Sequence, residues 1–163
     1  MIRKLFISSL LVTLVCAAAW AGEPKSIVSG PPGSYLTEIA RVAADAQSQA
    51  EEMEAYLRND SVDWRTLAYQ TADLADQART LQNLVSGFEG MQPTLTPAQS
   101  EQFDRLKAGL ETLTVFINNT NQLIAERPAL PDRDALTANA KAIIARSQIV
   151  RDAARKLRSD ELS

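Results

Sequence analysis

The first residues with chemistry to offer are three hydroxyls, Thr71, Thr120 and Ser147. Each stands on an apolar stripe at helical spacing, so each is expected inside a core. A buried hydroxyl left without a partner costs about 1–3 kcal/mol. Two outcomes are open. Each hydroxyl can bond the carbonyl one turn back on its own helix, a common habit of Ser and Thr. Alternatively, together with the small residues Ala46, Ala50 and Ala140 and the aromatic Trp64, they line a small, partly polar pocket that takes a ligand. Only the second outcome carries a chemistry, and that chemistry is binding.

Catalysis lacks its usual parts. The chain has no His, which removes Ser-His-Asp and Cys-His catalysis, most zinc and copper sites and an imidazole haem ligand. No Ser stands three residues before a Lys, so the Ser-x-x-Lys nucleophile is absent, as is a Gly-rich phosphate loop. Paired carboxylates could make a hydrolase, but every helical Asp and Glu falls off the apolar stripes, where a solvated charge is expected. The cluster Glu51, Glu52 and Glu54 does not have the spacing of a cation-binding loop. No enzyme, metal site or cofactor is expected. The run Asn118, Asn119, Asn121 and Gln122 is a solvated face, a spot of local disorder or a partner contact, since Asn is a poor helix former. Asn118-Asn119-Thr120 and Asn59-Asp60-Ser61 match the short N-glycosylation sequon.

Four helices must position these residues. Leu36, Ile39, Ala43, Ala46, Ala50, Met53 and Leu57 recur at steps of three and four, which places them on one helix face. Trp64, Leu67, Thr71, Leu74, Ala78, Leu81, Val85 and Phe88 form a second stripe, and Phe103, Leu106, Leu110, Leu113, Ile117, Thr120 and Ile124 a third. The fourth is Leu136, Ala140, Ile143, Ser147, Val150, Ala154 and Leu157. The breaks agree. Ser34 suits a first cap, Asp60 or Ser61 a second, and Gly87 and Gly90 an end. Thr96, Pro97 and Gln99 make a capping box with Pro at the first helical position. Pro128 stops the third helix, and Asp132 and Asp134 open the fourth. The spacing predicts helices over about 34–58, 61–88, 97–127 and 132–158, with 22–33 a flexible leader and 159–163 a frayed tail.

Four helices joined by short loops imply an all-α, up-down-up-down antiparallel bundle over 34–158, and the 3.5-residue period adds a left-handed supercoil. Stacked in that order, the stripes put Thr71, Thr120 and Ser147 in the half of the core that holds Trp64. Tyr69, Val115, Ile149 and Tyr35 fall on outward positions. A second subunit could cover Val115 or Ile149, but the oligomeric state is not written in the pattern.

Residues 1–21 are set apart. Arg3 and Lys4 precede an uncharged apolar run, Leu5 to Ala19, and Ala19-Trp20-Ala21 is a small-x-small cleavage site. This is the pattern of a secretory signal peptide. Retention as an N-terminal anchor is the alternative, although the run is short for a span of roughly 20 residues. Cys16 is the only cysteine, and it lies in the signal. It resembles the lipid-bearing Cys of bacterial lipoproteins, a minor alternative, since Val15 stands where those have a small residue. Removing 21 of 163 residues leaves 142, ample for one domain, with no Cys and so no disulfide. It also leaves 15 basic against 20 acidic residues, a net charge of −5. That acidity argues against nucleic acid and against adhesion to anionic lipid. No stable membrane span is expected in the mature chain.

The architecture is similar to that of the periplasmic four-helix cytochromes and the ferritin-like bundles, but in architecture alone, because their His ligands are missing. The pattern therefore predicts an exported, periplasmic or secreted, non-catalytic bundle that acts by binding or scaffolding an unknown protein. The alternative is a ligand-binding or sensory bundle using a small molecule in the Trp64-half pocket. A third reading, a holdase-like envelope chaperone, would need an exposed apolar concavity.

Overall fold

The computed structural model describes residues 30–59, 61–91, 93–126 and 132–161, with residues 160 and 161 described by their backbone alone. The signal at 1–21, with Cys16, most of the leader, Asp60, Pro128, Pro131 and the last two residues of the tail lie outside the described residues. All regular structure within them is helical: α1 (Pro32–Leu57), α2 (Trp64–Gly90), α3 (Pro97–Glu126) and α4 (Arg133–Glu161). The described residues contain no strand. None of the helices is long and apolar enough to cross a membrane.

The helix starts follow from local chemistry. At α3 the capping box forms: Thr96 Oγ1 accepts from the Gln99 amide at 3.3 Å, and Gln99 Oε1 accepts from the Thr96 amide at 2.8 Å. At α4, Asp132 Oδ1 accepts from the Ala135 amide at 3.0 Å. At α2 the cap is Asp63, which accepts from the Arg65 amide at 3.1 Å, so the helix begins three residues later than the expected 61. The Tyr56 hydroxyl accepts from the Asp63 amide at 2.8 Å and fixes that entry. Helix α1 starts earlier than expected. Pro31 is the cap and Pro32 the first helical residue, since proline's fixed φ suits the first turn and its missing amide costs nothing there. Ser34, expected as the cap, lies inside the turn and donates its hydroxyl to the Pro31 carbonyl at 2.7 Å.

The four helices neighbour one another in a ring, α1 beside α2, α2 beside α3, α3 beside α4 and α4 beside α1. Packing around the ring is uneven. Helix α4 has the most extensive contact with its neighbours, and α2 the least. Small side chains explain the close side: Ala43, Ala46 and Ala50 on α1 and Ala140 and Ala154 on α4 are fully buried, so the two backbones can approach. On α3, Gly109 is buried, and a Cβ there would lie 3.1 Å from Ile149 Cγ2 and 3.2 Å from Val150 Cγ2.

Every residue of the four stripes is buried except Trp64, which is 40% exposed. Trp64 is the first residue of α2, so no preceding helical turn lies beneath its N-terminally tilted side chain, and the Arg65 guanidinium lies 5.6 Å from its ring centroid. The burial extends past the stripes to Tyr35, Ala40, Val42, Leu84, Gln99, Gln102, Gly109 and Ala153. Two outward expectations change accordingly. Tyr35 is only 7% exposed, because its ring lies over Gly87. Ile149 is half-buried against Gly109. In both cases a glycine on the facing helix makes the room. Gly87 is thus a seat for an aromatic ring inside α2, not a mark of its end.

Candidate functional site

Two of the three core hydroxyls are satisfied within their own helices. Thr71 Oγ1 donates to the Leu67 carbonyl at 2.6 Å, and Thr120 Oγ1 donates to the Phe116 carbonyl at 2.8 Å. Ser147 differs: it is fully buried, and its Oγ has no hydrogen-bond partner. Ala46, Ala50 and Ala140 are fully buried, whereas Trp64 lies at the surface. The pocket residues therefore do not share one environment. The six core members are enclosed, and the aromatic one faces solvent.

The two apolar residues singled out as outward lie in grooves on the two flanks of α3. Between α2 and α3 a groove of about 410 Å³ is lined by Gln82, Val85, Ser86, Lys107, Leu110, Glu111, Thr114 and Val115. Val115 is 50% exposed, and buried Val85 and Leu110 lie beneath it. Polar contacts close the groove's ends. Gln82 Nε2 donates to Thr114 Oγ1 at 3.3 Å, and Lys107 Nζ donates to Glu89 Oε1 at 2.9 Å. The Lys107 ammonium also lies 5.0 Å from the Phe103 ring centroid. Its hydrogen bond to the Glu89 carboxylate holds its pKa above the ordinary lysine value. Between α3 and α4 a second groove, of about 430 Å³, is lined by Gln102, Arg105, Ala145, Gln148, Ile149, Asp152, Ala153 and Lys156. Its apolar lining is Ile149, Ala145 and Ala153, and its other lining residues are polar or charged.

The acidic cluster is engaged locally. Glu51 accepts from Gln47 Nε2 at 2.7 Å, and Glu54 pairs with Arg58 at 2.6 Å and Lys141 at 4.0 Å. Among the described residues no group of three or more His, Cys, Asp or Glu is placed to hold a metal ion. Asn118 and Asn119 are exposed on a regular stretch of α3, and Gln122 Nε2 donates to Glu126 Oε1 at 2.8 Å.

Comparison with known proteins gives no relative. No protein-family model, no curated protein and no solved structure matches the chain. Function must be argued from the chain's own surfaces.

The pattern of the sequence missed the groove walls, because Gln82, Ser86 and Glu111 are ordinary polar residues until two helices bring them together. It also missed Gln70 and Gln77, whose Oε1 atoms are buried without a partner. One signal was available. Gly109 is an isolated glycine inside a strong helical pattern, which costs about 1 kcal/mol against Ala and so points to a close approach.

Proposed function

We propose that the chain is an exported, non-catalytic, up-down-up-down antiparallel bundle with a left-handed supercoil that works by holding another protein. The pairing of the helices supports the topology. Arg151 meets Gln47 and Arg158 meets Thr37, so rising numbers on α1 go with falling numbers on α4. Gln82 with Thr114 and Glu89 with Lys107 run in the same opposed sense between α2 and α3. The signal-like start supports export to the periplasm or beyond.

The observation that carries the interaction reading is the α2–α3 groove. Val115 is half-exposed above Val85 and Leu110, with Gln82, Glu111 and Lys107 around it. An apolar centre inside a polar rim is the anatomy of a protein interface. The occupant it fits is one amphipathic segment of a partner protein, whose apolar residues would sit on Val115 while its polar flanks meet the rim. A photoreactive residue at 115 tests this in cells that carry the native chain's partners, with the same residue at exposed Arg79 as control. The expected result is one discrete cross-linked protein from position 115 and none from 79. Adducts at both positions, or at neither, would overturn the reading.

A second reading has its own support. The buried, unpartnered Ser147 hydroxyl suits a small molecule or water held in the Trp64 half of the core. Native mass spectrometry of protein purified from its own envelope fraction, without refolding, separates the two readings through any retained mass.

A further inference from the structure

The four helices are not held equally, and α2 is the least constrained of them. Its polar and ring contacts with neighbours gather in its C-terminal half. Tyr35 of α1 lies over Gly87, and the Phe88 and Phe103 rings lie 5.2 Å apart. Glu89 is bridged by Lys107, and Gln82 is bonded to Thr114. From Trp64 to Thr80 no side chain of α2 has a hydrogen bond, ion pair or ring contact to another helix among the described residues. That half instead carries the unfavourable features. Gln70 and Gln77, one heptad apart, bury Oε1 atoms with no partner. Trp64, at the start of the helix, is 40% exposed. By contrast, α4 is pinned to α1 through Arg151 with Gln47 and Arg158 with Thr37, and to α3 at Gly109.

We infer that the N-terminal half of α2, about residues 64–80, opens as a unit from the other three helices while residues 81–90 stay anchored by Tyr35, Phe103 and Lys107. Local opening draws on segments with few cohesive contacts and unsatisfied polar groups, and it proceeds in contiguous units below the global unfolding free energy. Opening hydrates the Gln70 and Gln77 carbonyls, which removes their penalty. It uncovers the layers that hold Thr120 and Ser147, whose buried hydroxyl is the one without a partner among the described residues. The move is therefore a gate to the polar half of the core. It stands apart from the groove reading, since Val85 and Val115 belong to the anchored half.

Native-state hydrogen exchange on the full chain tests it. Amides of Gln70–Ala78 are expected to exchange at least tenfold faster than those of Leu84–Phe88, than the centre of α4 at Ile143–Val150, and than Phe103–Glu111, which lie at matching depth in α3. Gln70→Leu with Gln77→Leu should slow Gln70–Ala78 by about tenfold, since both unpaired acceptors are gone. Ala145→Gly, at an exposed position of α4, should speed α4 exchange about fivefold through helix propensity alone and leave Gln70–Ala78 unchanged. Equal protection of Gln70–Ala78 and α4 in the native chain would overturn the inference. So would an equal acceleration of both segments by Ala145→Gly, because both results mean one cooperative unit.

Discussion

Replacing Gly87 by Ala sets two opposed effects against each other, and the structure decides between them. Inside a helix Ala is favoured over Gly by up to about 1 kcal/mol, and residue 87 lies in the last turn of α2. At residue 87, however, a Cβ would stand 2.6 Å from Tyr35 Cε1, closer than carbon atoms tolerate. The Tyr35 ring is only 7% exposed and has little freedom to move away. Overpacking a filled site costs about 1–3 kcal/mol. The net expectation for Gly87→Ala is a loss of roughly 1 kcal/mol, after the propensity gain is subtracted. In a chain of this size that lowers the unfolding temperature by about 3–5 °C. Truncating the ring should reverse the sign. With Tyr35→Ala as background, Gly87→Ala should stabilise by up to about 1 kcal/mol, since only propensity remains. Gly90→Ala is the internal control, because nothing lies within 4 Å of a Cβ there. It should be neutral or slightly stabilising in either background. Urea unfolding of the four chains gives the coupling directly, provided the denaturant slope is unchanged. If Gly87→Ala stabilised the native chain as much as the Tyr35→Ala chain, the ring would not be seated on α2.

Three further outcomes follow from the same geometry. Ser147→Ala should be neutral or stabilising by about 1 kcal/mol in urea unfolding, because it deletes a buried hydroxyl that has no partner; a loss above about 1 kcal/mol would mean that the hydroxyl is paired. Asp63→Ala and Thr96→Ala should each cost about 1 kcal/mol by removing a cap, and the two effects should add, as they concern separate helix starts; a change below 0.3 kcal/mol or so would contradict the caps, which lie above that range even in weak hosts. Acid should remove a small contribution from Glu38. Hydrogen bonding from Arg41 holds its carboxyl below its ordinary pKa of 4.5, against the opposing effect of burial. That contribution is complete above pH 4.5 and fades as pH falls through the lowered value. Arg41→Gln should flatten this acid limb, as read from urea midpoints between neutral pH and the acid range, while the limb at neutral pH and above stays the same.

The sequence by itself determined the number of helices, their faces and most of their punctuation. Those are local matters. A three-and-four spacing puts residues on one face whatever the helix meets, and Thr96 with Gln99 closes a box within a single turn. The Trp64 position shows the limit of that rule, since a stripe says which face is apolar and not whether a neighbour reaches its end. Tyr35 and Ile149 show the converse. Their own helices place them outward, and only Gly87 and Gly109 on the facing helices admit them. The two grooves beside α3 are likewise properties of pairs of helices, with no trace in either one. Burial of the Gln70 and Gln77 carbonyls is likewise a tertiary matter, and the loose hold on α2 depends on which helices carry the alanines that let α1 and α4 close up. Periodicity is a property of one chain segment, but distance between segments is set by the sizes of side chains far apart in sequence, so it was the tertiary structure that decided where this bundle is tight, where it is grooved and where it can open.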